Sequence, residues 1–146
     1  MAGVHTKLGT IGVARSGAAG VPILFLHGVG SDKSVWRPQL DHFGRTRSAV
    51  AIDYPGYGES AFVPDATRDD FADAAFAALD AMEIGEAHIC GLSLGGVVAL
   101  AMAARRPDRV RSLILADSFA VHPDGQAIYD RSVAASRAMS MRALAE

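Results

Sequence analysis

The residue best placed to do chemistry is Ser93, the middle of a Gly-x-Ser-x-Gly sequence that runs from Gly91 to Gly95. An apolar segment, 87–92, precedes the serine, and a second segment rich in small apolar residues, 94–105, follows it. This pattern predicts a buried strand, a tight turn and a helix, with the serine strained and exposed at the turn. The glycines leave room because neither carries a Cβ. The helix would point its free N–H groups at the serine and could stabilise an oxyanion.

The segments around this turn alternate between strand and helix patterns. A hairpin of two short strands around Gly9 and Thr10, with Leu8 turned inward, is expected within residues 3–14. Apolar runs predict strands at 21–26, 48–52, 87–92 and 110–116, with helices at about 34–43, from 67 towards Gly85, and at 94–105. Such alternation requires a mostly parallel sheet covered by helices on both faces. The expected fold is therefore α/β, with an N-terminal β-hairpin before the parallel strands.

Composition and charge argue against several classes of protein. The chain has 146 residues, half of them apolar, and a net charge of −2, which fits one packed domain without a basic stripe for nucleic acid. Its one cysteine, Cys90, lies in an apolar segment and is expected to be a buried, inert thiol. No apolar run reaches the roughly 18 residues of a membrane span, and the N-terminus lacks a signal-peptide pattern. We therefore expect a cytoplasmic protein that binds neither nucleic acid nor membranes, and no metal site.

Three motifs in a fixed order carry a family resemblance. The sequence His-Gly-Val-Gly at 27–30 follows the first buried strand, Asp-Tyr-Pro-Gly-Tyr-Gly-Glu-Ser fills 53–60, and Gly-Leu-Ser-Leu-Gly-Gly fills 91–96. Together they resemble the α/β-hydrolase superfamily over about residues 20–120. Within it, the sequence Ser-Val-Trp-Arg-Pro-Gln-Leu at 34–40 and the glycine-serine turn are similar to those of 3-oxoadipate enol-lactonases and related small carboxylesterases.

The resemblance implies a serine hydrolase that cleaves a small carboxylic ester or lactone through an acyl-enzyme. Ser93 would be the nucleophile, and the backbone N–H groups of Val29 and Leu94 would form the oxyanion hole. No cofactor is implied, because the attacking groups are side chains and water. Residues 1–118 would form the N-terminal part of the hydrolase core, and residues 119–146 would begin a helical lid.

The acid and the histidine of the expected triad are harder to place. In the family they follow the serine in that order, and the histidine comes after the last strand of the sheet. Because residue 146 falls in the lid region, the fold is expected to be incomplete on its C-terminal side. Asp117 ends the strand beside that of Ser93, which is where the acid lies in haloalkane dehalogenases of the same superfamily. The alternative is that Asp117 only caps its loop or bonds to nearby backbone.

None of the five histidines is a convincing general base. His5 and His42 belong to a terminal strand and a helix end, and His88 opens the strand before the serine, at the wrong end of the sheet. His27 should lie near the serine, but the resemblance implies that it holds its own loop. His122 would approach the serine only by chance. The chain alone is therefore expected to turn over esters poorly, because a serine hydroxyl without a base stays protonated near neutral pH.

A nucleotide-binding module is the first alternative. Gly28 and Gly30 follow a strand, and Asp53 ends the next one, about where a ribose-binding acid would lie. Lys33 occupies the place of the third glycine of that fingerprint, however. The spacing from 91 to 96 matches a phosphate loop, yet two valines follow where lysine and a hydroxyl residue are needed.

A degenerate hydrolase that binds ligand without chemistry is the second alternative, and the missing histidine favours it.

A further expectation concerns the strand at 110–116, which would form an unpaired edge of the sheet. Unpaired strand edges recruit partners, so self-association through this edge is expected.

Overall fold

The computed structural model describes residues 3–121, Asp124 and Ala127. His122 and most of the expected lid, 119–146, lie outside the described residues. In chain order the described strands are β1 (Val4–Thr6), β2 (Gly9–Ile11), β3 (Val13–Ser16), β4 (Ile23–Leu26), β5 (Ala49–Ile52), β6 (Ala87–Leu92) and β7 (Val110–Ala116). The described α-helices are α1 (Arg37–Phe43), α2 (Arg68–Ala81) and α3 (Leu94–Arg105), and short 3-10 helices cover Lys33–Trp36 and Pro107–Arg109.

The main sheet has five strands in the order β3-β5-β4-β6-β7. Strand β3 pairs antiparallel with β5, and all other pairs in this sheet are parallel. Strands β1 and β2 form a separate antiparallel hairpin. This arrangement confirms the predicted α/β class, and it brings the carboxyl ends of β4, β5, β6 and β7 to one edge of the sheet. The loops that follow these four strands therefore meet there.

Apolar clusters cover the sheet on both faces. Leu24 and Leu26 of β4 belong to the larger cluster, with α2 and α3, whereas Ile23 and Phe25 belong to a smaller cluster beside α1. Alternate residues of a strand point to opposite faces, so β4 supplies both clusters. The thiol of Cys90 is buried in the smaller cluster, as expected, and burial raises its pKa.

The N-terminal hairpin was placed two residues too late by the sequence pattern. Gly9 and Thr10 lie in β2, and the turn is formed by Lys7 and Leu8. The side chain of Thr6 closes this turn, because its hydroxyl donates to the Gly9 carbonyl (2.8 Å) and accepts from the Leu8 N–H (3.0 Å). Leu8 is consequently exposed at the turn, and the expectation that it faces inward was wrong.

The helices follow their predicted signals closely. Thr67 caps α2 through a capping box with Asp70, and the apolar stripe of the helix is buried on the sheet. Helix α1 begins at Arg37 after a 3-10 turn, which leaves Pro38 in the first turn, where it displaces no hydrogen bond. No helix in the described part of the chain combines the length and apolar character that crossing a bilayer requires.

Strand β7 forms one end of the sheet. Among the described strands it pairs only with β6, which agrees with the predicted bare edge. Ile114 is 52% exposed and Leu115 is 44% exposed, although they point to opposite faces of the sheet. The core therefore thins out on both faces at β7.

Candidate active site

Ser93 occupies a strained turn between β6 and α3. Its backbone has φ +52° and ψ −114°, a conformation that residues other than glycine rarely adopt. The Ser93 N–H donates to the Ala116 carbonyl (2.9 Å), and the Ser93 carbonyl accepts from the Gly96 N–H (2.9 Å). Such strain persists only where the surrounding structure holds it, and it is concentrated at functional sites. The predicted strand, turn and helix around Ser93 are thus all present.

The glycines around Ser93 are required by close backbone approach. A Cβ at Gly91 would overlap the backbone of Gly95, and a Cβ at Gly95 would overlap the carbonyl of Leu26, the last residue of β4. The start of α3 therefore rests directly on the end of the neighbouring strand. This contact sets how far Ser93 projects above the sheet.

The loop that follows β4 lies against the serine. A Cβ built on Gly28 would be 3.5 Å from the Ser93 Cβ, so the next residue, Val29, is close to the serine, and its side chain is 70% exposed. On the other side, Leu94 is the first residue of α3, and its N–H has no acceptor within the helix. Of the two residues predicted to donate to an oxyanion, Leu94 thus directly follows Ser93, and Val29 follows a glycine that lies against it.

His27 holds the beginning of this loop in place. Its ring is fully buried beside Tyr54 (centroids 4.5 Å apart) and Tyr57 (5.2 Å). Its Nδ1 lies 2.8 Å from the Gly28 carbonyl, and because a carbonyl only accepts, Nδ1 carries a proton. Burial lowers the pKa of His27, so the ring is neutral at pH 7. The hydroxyl of Tyr54 donates to the His27 carbonyl (3.1 Å), which fixes the backbone where β4 ends.

A buried ion pair beside this loop was missed in the sequence. The Asp53 carboxylate is fully buried and accepts from the Lys33 N–H (2.7 Å), the Lys33 ammonium (2.6 Å) and the Glu59 N–H (2.9 Å). A fully buried carboxylate that already accepts from three protein donors is not presented to a ribose, as a nucleotide-binding module would require. The available signal was an acid placed directly after a fully apolar strand, since burial forces such a group to find a partner.

Asp117 and the histidines do not complete a triad among the described residues. Asp117 follows Ala116, whose carbonyl bonds to Ser93, but its exposed carboxylate makes no hydrogen bond or ion pair within that part of the chain. His88 bonds to Ser112 (2.7 Å) near the start of β6, far along the strand from the serine. Ser93 Oγ has no histidine as a hydrogen-bond partner in the described ranges.

The remaining histidines are accounted for elsewhere. His5 bonds to Thr10 (3.2 Å) within the hairpin, and His42 packs edge-on against Phe43 at the end of α1. His122 lies outside the described residues. Between residues 3 and 121, no group of three or more His, Cys, Asp or Glu side chains comes together as metal ligands do.

Comparisons with known proteins agree on the fold and on a group of hydrolases. A family model described as the alpha/beta hydrolase fold matches residues 21–137. The chain is 38% identical over 125 residues to 2-hydroxymuconate semialdehyde hydrolase of Pseudomonas sp., an alignment that covers 82% of this chain and 42% of that protein. It is 31% identical over 112 residues to 3-oxoadipate enol-lactonase 1 of Acinetobacter baylyi, covering 76% and 42% of the two chains.

A solved structure shows the same architecture. A thermophilic esterase from Thermogutta terrifontis superposes with a TM-score of 0.82 at 29% identity, covering 92% of this chain and 52% of the esterase. The chain thus spans about half the length of the relatives that it matches.

Proposed function

The chain belongs to the α/β-hydrolase family, and from this premise we propose that it carries the nucleophile half of a serine hydrolase for carboxylic esters or lactones. The observation that supports this most strongly is the strained backbone of Ser93, at φ +52° between β6 and α3. The names of the relatives point to the same substrates, since they include an enol-lactonase and an esterase. An acyl-enzyme mechanism follows from a serine in this position.

In the proposed reaction, Ser93 Oγ attacks the carbonyl carbon and its proton passes to a general base. The N–H groups of Val29 and Leu94 donate to the oxygen that becomes negative, and each donor would contribute on the order of a hundredfold in rate. The tetrahedral intermediate then collapses, the alcohol leaves with the proton, and an ester bond joins the acyl group to Ser93. Attack by water on this ester releases the acid and frees the serine.

The base is the part that the described residues do not supply. We propose Asp117 as the acid of the triad, because it lies next to Ala116, which bonds to the serine. A histidine would have to come between Asp117 and Ser93. We further propose that residues 1–118 form the hydrolase core and that 119–146 begin its lid. We also propose that residues 1–146 alone turn over esters poorly, since none of the described residues supplies a proton acceptor for the Ser93 hydroxyl.

The decisive experiment is labelling with a fluorophosphonate, read by intact mass. We expect slow, incomplete labelling located at Ser93, abolished in Ser93→Ala and unchanged in the control Ser112→Ala, which alters an exposed serine of β7. Rapid stoichiometric labelling that vanishes in Ser93→Ala would support the nucleophile and disprove the poor reactivity. Labelling that persists in Ser93→Ala would show that Ser93 is not the nucleophile.

The alternative function is ligand binding without chemistry, and the lack of a histidine partner for Ser93 in the described residues favours it. A small lactone would then shift the NMR resonances of Gly28 and Leu94 without being consumed. Hydrolysis of that lactone by the wild-type chain, lost in Ser93→Ala, would exclude this alternative.

We also propose that copies of the chain associate through the β7 edge. Ile114 and Leu115 expose apolar surface there, and the outer backbone groups of an edge strand are free to pair. Leu115→Lys should lower the mass measured by light scattering at high concentration, whereas Phe62→Lys, which removes an exposed aromatic in a loop, should not. A monomeric wild-type chain at high concentration would refute the proposal.

A further inference from the structure

We propose that Lys33 and Asp53 are positioning residues, which hold the loop after β4 against Ser93 so that the Val29 N–H stays directed at the serine. The inference rests on the proposed function, because it assigns a task to the loop that would supply an oxyanion donor. Neither residue touches the serine itself. Each would act through the backbone of residues 27–33.

The pair joins the far end of the loop to a neighbouring strand. Asp53 directly follows β5, which lies beside β4 in the sheet, and Lys33 is where the loop after β4 enters its 3-10 helix. The carboxylate accepts from both the backbone N–H of Lys33 (2.7 Å) and its ammonium (2.6 Å). The Asp53 side chain therefore holds Lys33 at two groups, its backbone N–H and its ammonium group.

Asp53 is itself held rigidly. Its N–H donates to the Gly12 carbonyl (2.9 Å), and its carbonyl accepts from the Ser60 hydroxyl (2.7 Å). A Cβ at Gly12 or at Gly58 would overlap the carboxylate, so the absence of a side chain at both positions leaves room for it. With the carboxylate confined in this way, the position of Lys33 follows from it.

The charges explain why the pair is strong. A buried carboxylate is expensive unless it is neutralised and hydrogen-bonded, and Lys33 supplies the positive charge. The ammonium also contacts the exposed carboxylate of Glu59 (2.7 Å). Burial by itself would lower the pKa of Lys33, but its hydrogen bonds to Asp53 and Glu59 outweigh burial and raise the pKa. The ammonium is therefore charged at pH 7.

Only a short, glycine-rich span lies between the two fixed ends of the loop. His27 fixes the near end through Tyr54, and Lys33 fixes the far end. Between them, Gly28 packs on Ser93, and Gly30 adopts φ +73°. A span of this kind has no apolar side chain to bury, since Val29 is exposed, so its position depends on its ends. A displacement of about 1 Å at Val29 would cost on the order of a hundredfold in a reaction that uses its N–H.

Nuclear magnetic resonance tests the inference without requiring an active serine. In Lys33→Met, the cross-peak between Gly28 Hα and Ser93 Hβ should be lost, and the amide resonance of Val29 should shift because the loop moves. The Ser93 amide, which bonds to Ala116, should keep its protection. The matched control is Arg109→Met. It breaks an ion pair of similar length (2.7 Å, to Asp80 at the C-terminal end of α2) that does not involve the β4 loop. It should leave the Val29 amide unchanged.

Labelling supplies the functional measurement. The rate at which fluorophosphonate labels Ser93 should fall about tenfold or more in Lys33→Met. It should recover most of its value in Lys33→Arg, which restores a cation, and remain normal in Arg109→Met. An unchanged cross-peak, an unchanged Val29 amide resonance or an unchanged labelling rate in folded Lys33→Met would each overturn the inference.

The inference can still be tested if Lys33→Met does not fold or if Ser93 is not labelled. If Lys33→Met does not fold, Asp53→Asn replaces it, since that variant keeps the shape of the side chain and leaves the ammonium its contact with Glu59. The cross-peak should then weaken and the Val29 amide resonance should shift, and the absence of both changes would overturn the inference. If the wild-type serine is not labelled at all, the proposed function fails. The cross-peak and the Val29 amide resonance still decide separately whether the pair positions the loop.

Discussion

Two loops flank Ser93, and they are held in different ways. The loop after β4, from His27 to Lys33, is fixed at one end by a buried ring and at the other by a buried ion pair. Residues 117–121, the part of the loop after β7 that the structure describes continuously, are mostly exposed, and a side-chain hydrogen bond from Ser118 Oγ to the Ser93 carbonyl (2.8 Å) ties them to the serine. Within the described residues, the loop after β4 is thus the rigid flank of the site and residues 117–121 are its open flank.

The position of each strand in the sheet explains this difference. Strand β4 lies between β5 and β6, so the loop that leaves it meets side chains from neighbouring strands on both sides. Strand β7 has a strand on one side only among the described residues, so its loop has fewer groups to bond. Preorganisation at this site therefore follows from the order of the strands, since each loop is as rigid as the contacts its position allows.

The largest expected effect comes from breaking the rigid flank. Lys33→Met should lower the free energy of unfolding by about 3 kcal/mol, because it leaves the Asp53 carboxylate buried without its counter-charge. Urea unfolding measures this loss directly. Arg105→Met breaks an exposed pair of similar length (2.7 Å to Asp73) and should cost only about 1 kcal/mol. Equal losses in the two variants would contradict the view that the β4 loop depends on a buried charge.

Disturbing the close contact between the start of α3 and the end of β4 should have the next largest effect. Gly95→Ala would push a methyl group into the Leu26 carbonyl, and backbone cannot rotate away, so a loss of about 2 kcal/mol is expected. Gly85→Ala is the matched control, since a Cβ there meets nothing within 4 Å. Urea midpoints for the two variants should differ clearly. A tolerated Gly95→Ala would mean that α3 does not rest closely on β4.

Alkaline pH should weaken the rigid flank by a smaller amount than the mutation. The pKa of Lys33 is raised in the folded chain above its ordinary value of 10.5, so its contribution to stability is complete below that value. The contribution is then lost as the pH rises through the folded-state pKa. The stability of wild type relative to Lys33→Met, measured by urea unfolding between pH 8 and 12, should therefore shrink above pH 10.5. A constant difference would contradict a charged pair.

The smallest effect should come from the open flank. Ser118→Ala removes one partly buried hydrogen bond to the Ser93 carbonyl, and a loss of about 1 kcal/mol or less is expected. Thermal unfolding would detect the change. A loss larger than that of Lys33→Met would reverse the comparison between the two loops.

Local patterns predicted the elements of the site well. The bounds of β6, α3 and β7 agree with those expected from the sequence, because each segment is strongly apolar and ends at a clear signal such as Pro107. The hairpin was misplaced because Gly9 resembled a turn residue. The turn is formed instead by Lys7 and Leu8, and it is closed by hydrogen bonds of the Thr6 hydroxyl to the Leu8 N–H and the Gly9 carbonyl, which composition does not reveal.

The sequence by itself determined the alternation of strands and helices and the turn that bears Ser93. Both depend on interactions within a few residues, such as the two glycines that admit the close backbone contacts of that turn. Only the tertiary structure decided what surrounds the serine. Lys33 and Asp53 are 20 positions apart and meet because β4 and β5 pair in parallel, in a register that no local pattern specifies. The exposure of β7 likewise depends on its place in the strand order, because burial is a property of neighbours.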